Sequence, residues 1–249
     1  MKINYIIAAL IVINSTLCFG IDDPASILKK VDDTRGPSFS TYQTTIEVIT
    51  TEKKVITEQN KLTVIIQRGN DSVSSIAFFE TPEDQKGRKM LMVGTDTWLY
   101  IPGSKKPVKI SPAQKLSGNA STGDILSVNY SGDYTPSITG NEKIGNFDCV
   151  QLELIAAKKS VTYYKIILWV DKKEYKPVKA EYYTKSLKLL KTAYFRKFEM
   201  INNKEICTES IIVDAIFNDK VTIIKNYDFR KSDKTQSYFS KDFIKDVSL

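Results

Sequence analysis

The chain has 249 residues, with 36 Lys and Arg against 29 Asp and Glu, a formal charge of +7, 42% hydrophobic residues and no histidine. Without histidine a Ser-His-Asp or Cys-His catalytic site is ruled out, and zinc would have to rest on Cys and carboxylates alone. The positive charge is mild and its lysines are dispersed, which argues against a nucleic-acid footprint.

Lys2 gives a short positive start, the run from Tyr5 to Val12 is almost wholly apolar, and Cys18-Phe19-Gly20 closes it with a small residue. Residues 1–20 therefore read as a secretory signal peptide cut after Gly20, because the apolar run is too short to span a bilayer. Lipidation of Cys18 is the competing fate, but Leu17 stands where a small residue is usual. Residues 21–249 then form one domain, a length routine for a single large β fold. Cys149 and Cys207 sit in strand-like patterns, where either a disulfide or two buried free thiols fits an exported chain.

The first element is a helix. Asp23 is placed to cap it, Pro24 suits its first position, and Ile27, Leu28 and Val31 share a face before Gly36-Pro37 stops it. From Tyr42 the period becomes two: Tyr42, Thr44, Ile46 and Val48 alternate with Gln43, Thr45 and Glu47, and the rhythm recurs from Leu62 to Ile66. It returns repeatedly as far as Tyr227. Turn residues such as Gly94-Thr95-Asp96, Asp171-Lys172-Lys173 and Asn202-Asn203-Lys204 punctuate it, with Gly69-Asn70-Asp71 earlier. Some ten strands on short hairpins behind one helix predict an antiparallel meander that curls into a barrel or an open half-barrel.

Several of these strands are apolar on both faces. Trp98 and Tyr100 oppose Leu99 and Ile101, while Tyr163, Ile167 and Trp169 oppose Tyr164, Ile166, Leu168 and Val170. One face makes the ordinary core, and the other needs either loops or an apolar ligand to cover it. The stretch from Ser111 to Gly145 breaks the rhythm. Ser117 to Thr122 reads as a polar loop and Gly123-Asp124-Ile125-Leu126 as a helical turn, so Asp124, Ile125 and Leu126 are the candidate lid.

The ordered series "FFETPEDQKGRKMLMV", "DTWLYIPGSKKPVKIS", "STGDILSVNYSGDYTP" and "YKIILWVDKKEYKPVKAEYYTKSLKLLKTAYF" resembles the outer-membrane lipoprotein-sorting proteins, relatives of the Lol-type carriers. Phe79, Pro82, Lys86-Gly87, Trp98, Tyr100, Pro102, Asp124, Trp169-Val170-Asp171, Pro177, Glu181 and Tyr182 carry the likeness, which extends over nearly all of residues 21–249. The resemblance implies a mainly β fold with a few helices, an unclosed antiparallel β-barrel, or half-barrel, with helices in or over its concave face. It also implies a periplasmic location and an apolar interior for the acyl chains of lipoproteins or other lipids. Partners would be those acyl chains or lipids themselves, with an inner-membrane transporter or an outer-membrane acceptor.

On that reading the ligand-binding candidates are Phe79, Met90, Met92, Trp98, Tyr100 and Trp169. The methionines suit a wall that adapts to flexible chains, although plain core filling is the commoner reason for such residues. Lys105, Lys106, Lys109 and Lys115 are either a patch for anionic head groups or a solvated hairpin tip. Glu80, Glu83 and Asp84 lie close together, but acids beside Pro82 on a turn are ordinarily just solvated. No cofactor, metal site or catalytic group is expected. The rival reading is a non-catalytic module that holds a protein partner along a sheet edge or the Tyr-rich face from Tyr182 to Tyr194, anchored through lipid on Cys18 or free.

Overall fold

A computed structural model describes residues 23–69, 72–126 and 129–249; residues 1–20, read from the sequence as a signal peptide and including Cys18, and Asn70 and Asp71 of the first turn lie outside the described residues. Helix α1 (Pro24–Asp33) begins as its sequence dictates, with the Asp23 carboxylate accepting a bond from the Ser26 amide at 3.2 Å and Ile27, Leu28 and Val31 buried.

Two meanders follow. The first comprises β1 (Thr41–Glu52), β2 (Val55–Arg68), β3 (Val73–Thr81), β4 (Lys89–Val93), β5 (Asp96–Tyr100) and β6 (Val108–Ile110). The second comprises β9 (Tyr134–Ile144), β10 (Phe147–Ala156), β11 (Lys165–Asp171), β12 (Pro177–Tyr183), β13 (Leu189–Ile201), β14 (Lys204–Asp214) and β15 (Lys220–Lys231). Pairing of β1 with β15, Val48 opposite Ile224, joins them into one 13-stranded antiparallel sheet in the order β6-β5-β4-β3-β2-β1-β15-β14-β13-β12-β11-β10-β9. The edges β6 and β9 do not pair, so the sheet is a half-barrel rather than a closed barrel.

The segment between those edges must therefore cross the whole sheet. It does so as the short hairpin β7 (Lys115–Ser117) and β8 (Ala120–Ser121), then helices α2 (Thr122–Leu126) and α3 (Tyr130–Asp133). The sequence had suggested only a loop from Ser117 to Thr122, because two- and three-residue strands carry too little alternation to register. It also merged β9 into the irregular stretch. That strand contains Pro136 and Gly140, residues a sheet tolerates at an edge and which blur the alternation.

Strand parity sorts the apolar residues into layers. One cluster fills the concave side, joining Ile27, Leu28 and Val31 of α1 to Ile46, Val48, Leu62, Val64, Met90, Met92, Leu152, Leu168 and Ile224 of the sheet and to Ile125 and Leu126 of α2. Two clusters lie outside it. In the first, Ile65, Ile76, Phe78, Leu91 and Tyr100 are roofed by Phe239 and Ile244 of the C-terminal segment. In the second, Cys149, Ile167 and Trp169 pack together. Cys149 and Cys207 are free thiols, so no disulfide joins the described residues.

Candidate functional site

The concave face meets a plug made of α1, β7–β8, α2 and α3. Polar bonds pin the β7–β8 hairpin and α2 of the plug to strands β2, β15 and β13. Near the β1–β2 hairpin, Asn60 Nδ2 donates to Ser117 Oγ at 2.9 Å and the Gly118 amide donates to Glu58 Oε2 at 3.0 Å. On β15, the Asn119 amide donates to Thr222 Oγ1 and its side-chain amide to the Lys220 carbonyl, both at 2.9 Å. On β13, Lys191 Nζ donates to the Asn119 carbonyl at 2.7 Å and forms an ion pair with Asp124.

Asp124 is the hub of this arrangement. Its carboxylate takes the Ser121 amide at 2.7 Å, the Ser121 hydroxyl at 2.9 Å and the Tyr163 hydroxyl at 2.7 Å. Burial pushes the Lys191 pKa down, opposed by the Asp124 charge. Burial pushes the Tyr163 hydroxyl well up, and the Asp124 charge adds to the rise. Gly123 packs so tightly that a Cβ there would meet Thr162 Oγ1 at 1.8 Å, so a side chain at this turn would push α2 away from the loop between β10 and β11.

A second polar knot ties the helices to one another. Asp32 at the end of α1 accepts from the Tyr130 and Ser131 amides at 2.8 and 2.7 Å, holding the start of α3. Burial raises the Asp32 pKa, partly offset by Arg35. The Arg35 guanidinium lies 4.0 Å from the Tyr130 ring centre, and the Tyr130 and Tyr182 hydroxyls share a bond of 3.1 Å.

Between plug and sheet lies a cavity with about 90 Å³ open to the centre of a water molecule. Its polar end is formed by Arg35, Tyr42, Tyr130 and Tyr182 and its apolar wall by Ile46, Ile66, Ile212 and Ile224 of the sheet with Ile125 of the plug. That space is smaller than the engineered cavity of roughly 150 Å³ that takes up benzene. A long apolar guest needs the plug to move.

The six ligand candidates do not share one wall. Phe79, Met90 and Met92 face the concave side, where Met90 Sδ accepts from Thr122 Oγ1 of α2 at 3.9 Å and Met92 borders a smaller space with Gly123 and Asp124. Trp98 and Tyr100 do share a face, as alternation required, but it is the convex one, under the C-terminal segment. Trp169 also faces outward, donating from Nε1 to Glu142 of β9 at 2.7 Å. Tyr163 departs from the expected grouping with Ile167 and Trp169: it precedes β11, escapes strand parity and turns inward.

Asp124, Ile125 and Leu126, the lid candidates, all lie in α2 on the concave face, with Ser75 Oγ donating to the Leu126 carbonyl at 3.0 Å. Lys109 pairs with Asp96 at 2.7 Å with both side chains largely in solvent, and Lys105 and Lys106 are exposed on a hairpin tip. Glu80 pairs with Lys61 and Glu83 with Lys86, each at 3.2 Å, so neither acid belongs to a paired-carboxylate site. Sequence reasoning missed Arg35 and Lys191. Parity from Ala193 marks Lys191 as inward, whereas a base just past a helix end carries no such signal.

Among the described residues no helix is long and apolar enough to cross a membrane, and no group of three or more Cys, Asp or Glu side chains is placed to hold a metal ion. A family model described only as "uncharacterized protein-like" matches residues 71–246. No curated protein matches the sequence. A DUF1329 family protein from Desulfovibrio piger, 20% identical, and a putative outer membrane lipoprotein-sorting protein domain from Vibrio parahaemolyticus, 23% identical, share the fold with TM-scores of 0.76 and 0.75. The matches cover 90% and 89% of this chain and 98% of each of those chains. A LolA superfamily protein from Nitrosomonas europaea is 33% identical, with a TM-score of 0.81, over 88% of this chain and 98% of that one. At that identity, over almost the whole of its relative, the chain belongs to the LolA superfamily.

Proposed function

We infer that the protein is a non-catalytic carrier of the periplasm, exported by residues 1–20, that holds acyl chains of lipoproteins or other lipids between the concave sheet and its plug. The observation that carries this reading is the construction of the interior. An apolar wall of β strands is covered by a separate plug, which crosses from one sheet edge to the other and is held at a few polar points around a small cavity. Displacing the plug exposes a dry surface that only an apolar guest re-covers.

The energetics suit such a guest. Burying a methylene is worth about 0.8 kcal/mol, so a sixteen-carbon chain offers on the order of 10 kcal/mol against the cost of moving the plug. Met90 and Met92, beside α2, adapt their shape to a flexible chain more readily than branched residues do. Phe79, Met90, Met92 and Ile125 are the residues proposed to touch it. Membership of the LolA superfamily supports the same reading.

Native mass spectrometry of the protein purified from its own envelope, with extraction of anything bound, tests this directly. A stoichiometric acyl-bearing species is expected. A clean apo mass, with no uptake of added phospholipid or triacylated peptide, would overturn the carrier and leave a protein-binding module.

A further inference from the structure

Three hairpins that are neighbours in the sheet end on the same side of the half-barrel. Their tips are the β1–β2 turn at residues 53–54, the β14–β15 turn at 215–219 and the β12–β13 turn at 184–188. Backbone bonds join them side by side, from the Lys53 amide to the Asp219 carbonyl at 3.2 Å and from the Ala215 amide to the Leu190 carbonyl at 3.1 Å. All three are tipped with exposed large aliphatic or aromatic side chains: Val55 65%, Ile56 59%, Ile216 64%, Phe217 61%, Leu187 59% and Leu190 40%. The turns at the opposite end are built from Gly94-Thr95, Gly145-Asn146, Lys172-Lys173-Glu174 and Asn202-Asn203, with Phe147 and Met200 exposed singly beside two of them rather than as a cluster on adjoining tips.

These tips are held out deliberately. The Asp214 carboxylate accepts from the Ile216 and Phe217 amides at 2.9 and 3.1 Å, fixing a turn that projects both apolar side chains. Leu187 stands at φ 60°, and Lys53 and Lys54 at φ 51° and 68°. The equivalent left-handed pair of the β13–β14 turn is Asn202-Asn203, residues that tolerate this conformation well. The hairpin geometry imposes the left-handed backbone, but it ordinarily takes Asn or Gly there, so lysine and leucine at these exposed positions are not what the turn alone calls for.

Lys53, Lys54, Lys185 and Lys188 are exposed among the apolar tips, with Glu52 and Asp219 as the exposed acids. The apolar groups project as separate points rather than lining a groove, and they alternate with lysines. That combination matches the boundary of an anionic bilayer, where apolar tips enter the acyl region and ammonium groups meet phosphates. We propose that this three-hairpin rim is a docking surface for anionic phospholipid membranes. The same hairpins and strands hold the plug, through Glu58, Asn60, Lys191, Lys220 and Thr222, so the docked bilayer lies at the end where the cavity is latched.

Co-sedimentation of the purified protein with phosphatidylcholine vesicles, with and without phosphatidylglycerol, tests the proposal. Binding is expected only with phosphatidylglycerol and should weaken with added salt. The double variants I216S/F217S and K53E/K54E should each lower partitioning about tenfold or more, while their thermal unfolding and their uptake of a soluble acyl probe stay as in the wild type. Absence of vesicle binding, or equal binding by I216S/F217S, would overturn the proposal. So would a concentration-dependent dimer abolished by I216S/F217S without vesicle binding, which would make the rim a contact between copies. Because the probe assay contains no vesicles, failure of the rim and failure of the carrier are read separately.

Discussion

Lys191 and Asp124 lie 67 residues apart in sequence and form an ion pair inside the half-barrel, with side chains only 7% and 9% exposed. The pair joins the second meander to the plug that covers it. Its members are not equivalent. Asp124 keeps three further donors from Ser121 and Tyr163, whereas Lys191 has one other acceptor, the Asn119 carbonyl.

That asymmetry sets the order of two substitutions. Asp124→Ala leaves a buried ammonium with one neutral acceptor and is expected to cost about 3–5 kcal/mol, the usual range for breaking a buried pair. Lys191→Met leaves a carboxylate that still receives three hydrogen bonds and should cost less than half of that. Urea unfolding of both variants checks the order, and equal losses would show that Asp124 does not organise the latch.

The buried tyrosines give a pH dependence. Burial raises the Tyr163 and Tyr182 hydroxyls well above their ordinary 10.0, Tyr163 further through the Asp124 charge and Tyr182 through Tyr130 and then Asp124. Below pH 10 the folded and unfolded chains hold these protons equally. Above it the unfolded chain releases them and the folded chain does not, so stability falls by about 1.4 kcal/mol per pH unit for each tyrosine. Unfolding midpoints between pH 9 and 12 should decline with that sign, and Tyr163→Phe should flatten the decline.

Burial pushes the Cys149 thiol up to about 11 and the Cys207 thiol up to about 12. The thiolate is the reactive form, so both should resist iodoacetamide at pH 8 in the folded protein and react together in denaturant. Labelling of Cys149 and Cys207 only after unfolding fits the structure. Absence of free thiols under denaturing, non-reducing conditions would mean a disulfide.

The C-terminal segment is a structural roof over the convex face. Ile244 is fully buried against the layer containing Ile65, Ile76, Phe78, Leu91 and Tyr100, and Lys89 Nζ donates to the Lys245 and Val247 carbonyls at 2.8 and 2.6 Å. Ile244→Ala should cost about 2–4 kcal/mol and increase binding of a hydrophobic dye to the uncovered layer. Wild-type stability in this variant would show that the roof is not held by its apolar contacts.

Much of the architecture is legible in the sequence, because it depends on local rules. Asp23-Pro24 starts α1, alternation marks most of the strands, and Gly94-Thr95 and Asn202-Asn203 set their turns. The same alternation puts Trp98 and Tyr100 on one face, and its interruption after Ser111 is where the helical turn at Asp124 is read. What alternation lacks is an absolute direction. It separates two faces without saying which is concave, so Phe79, Met90 and Met92 proved inward while Trp98, Tyr100 and Trp169 proved outward.

Local patterning suffices for the class of fold, a long antiparallel meander behind one helix, because hydrogen-bonded strands impose a period of two on neighbouring residues. It takes three-dimensional packing to pair β1 with β15, to send the segment between β6 and β9 across the concave face, and to bring Asp124 to Lys191 there. Those contacts join residues far apart in the chain, and their energy comes from burial and charge pairing that exist only once the sheet has curved around the plug.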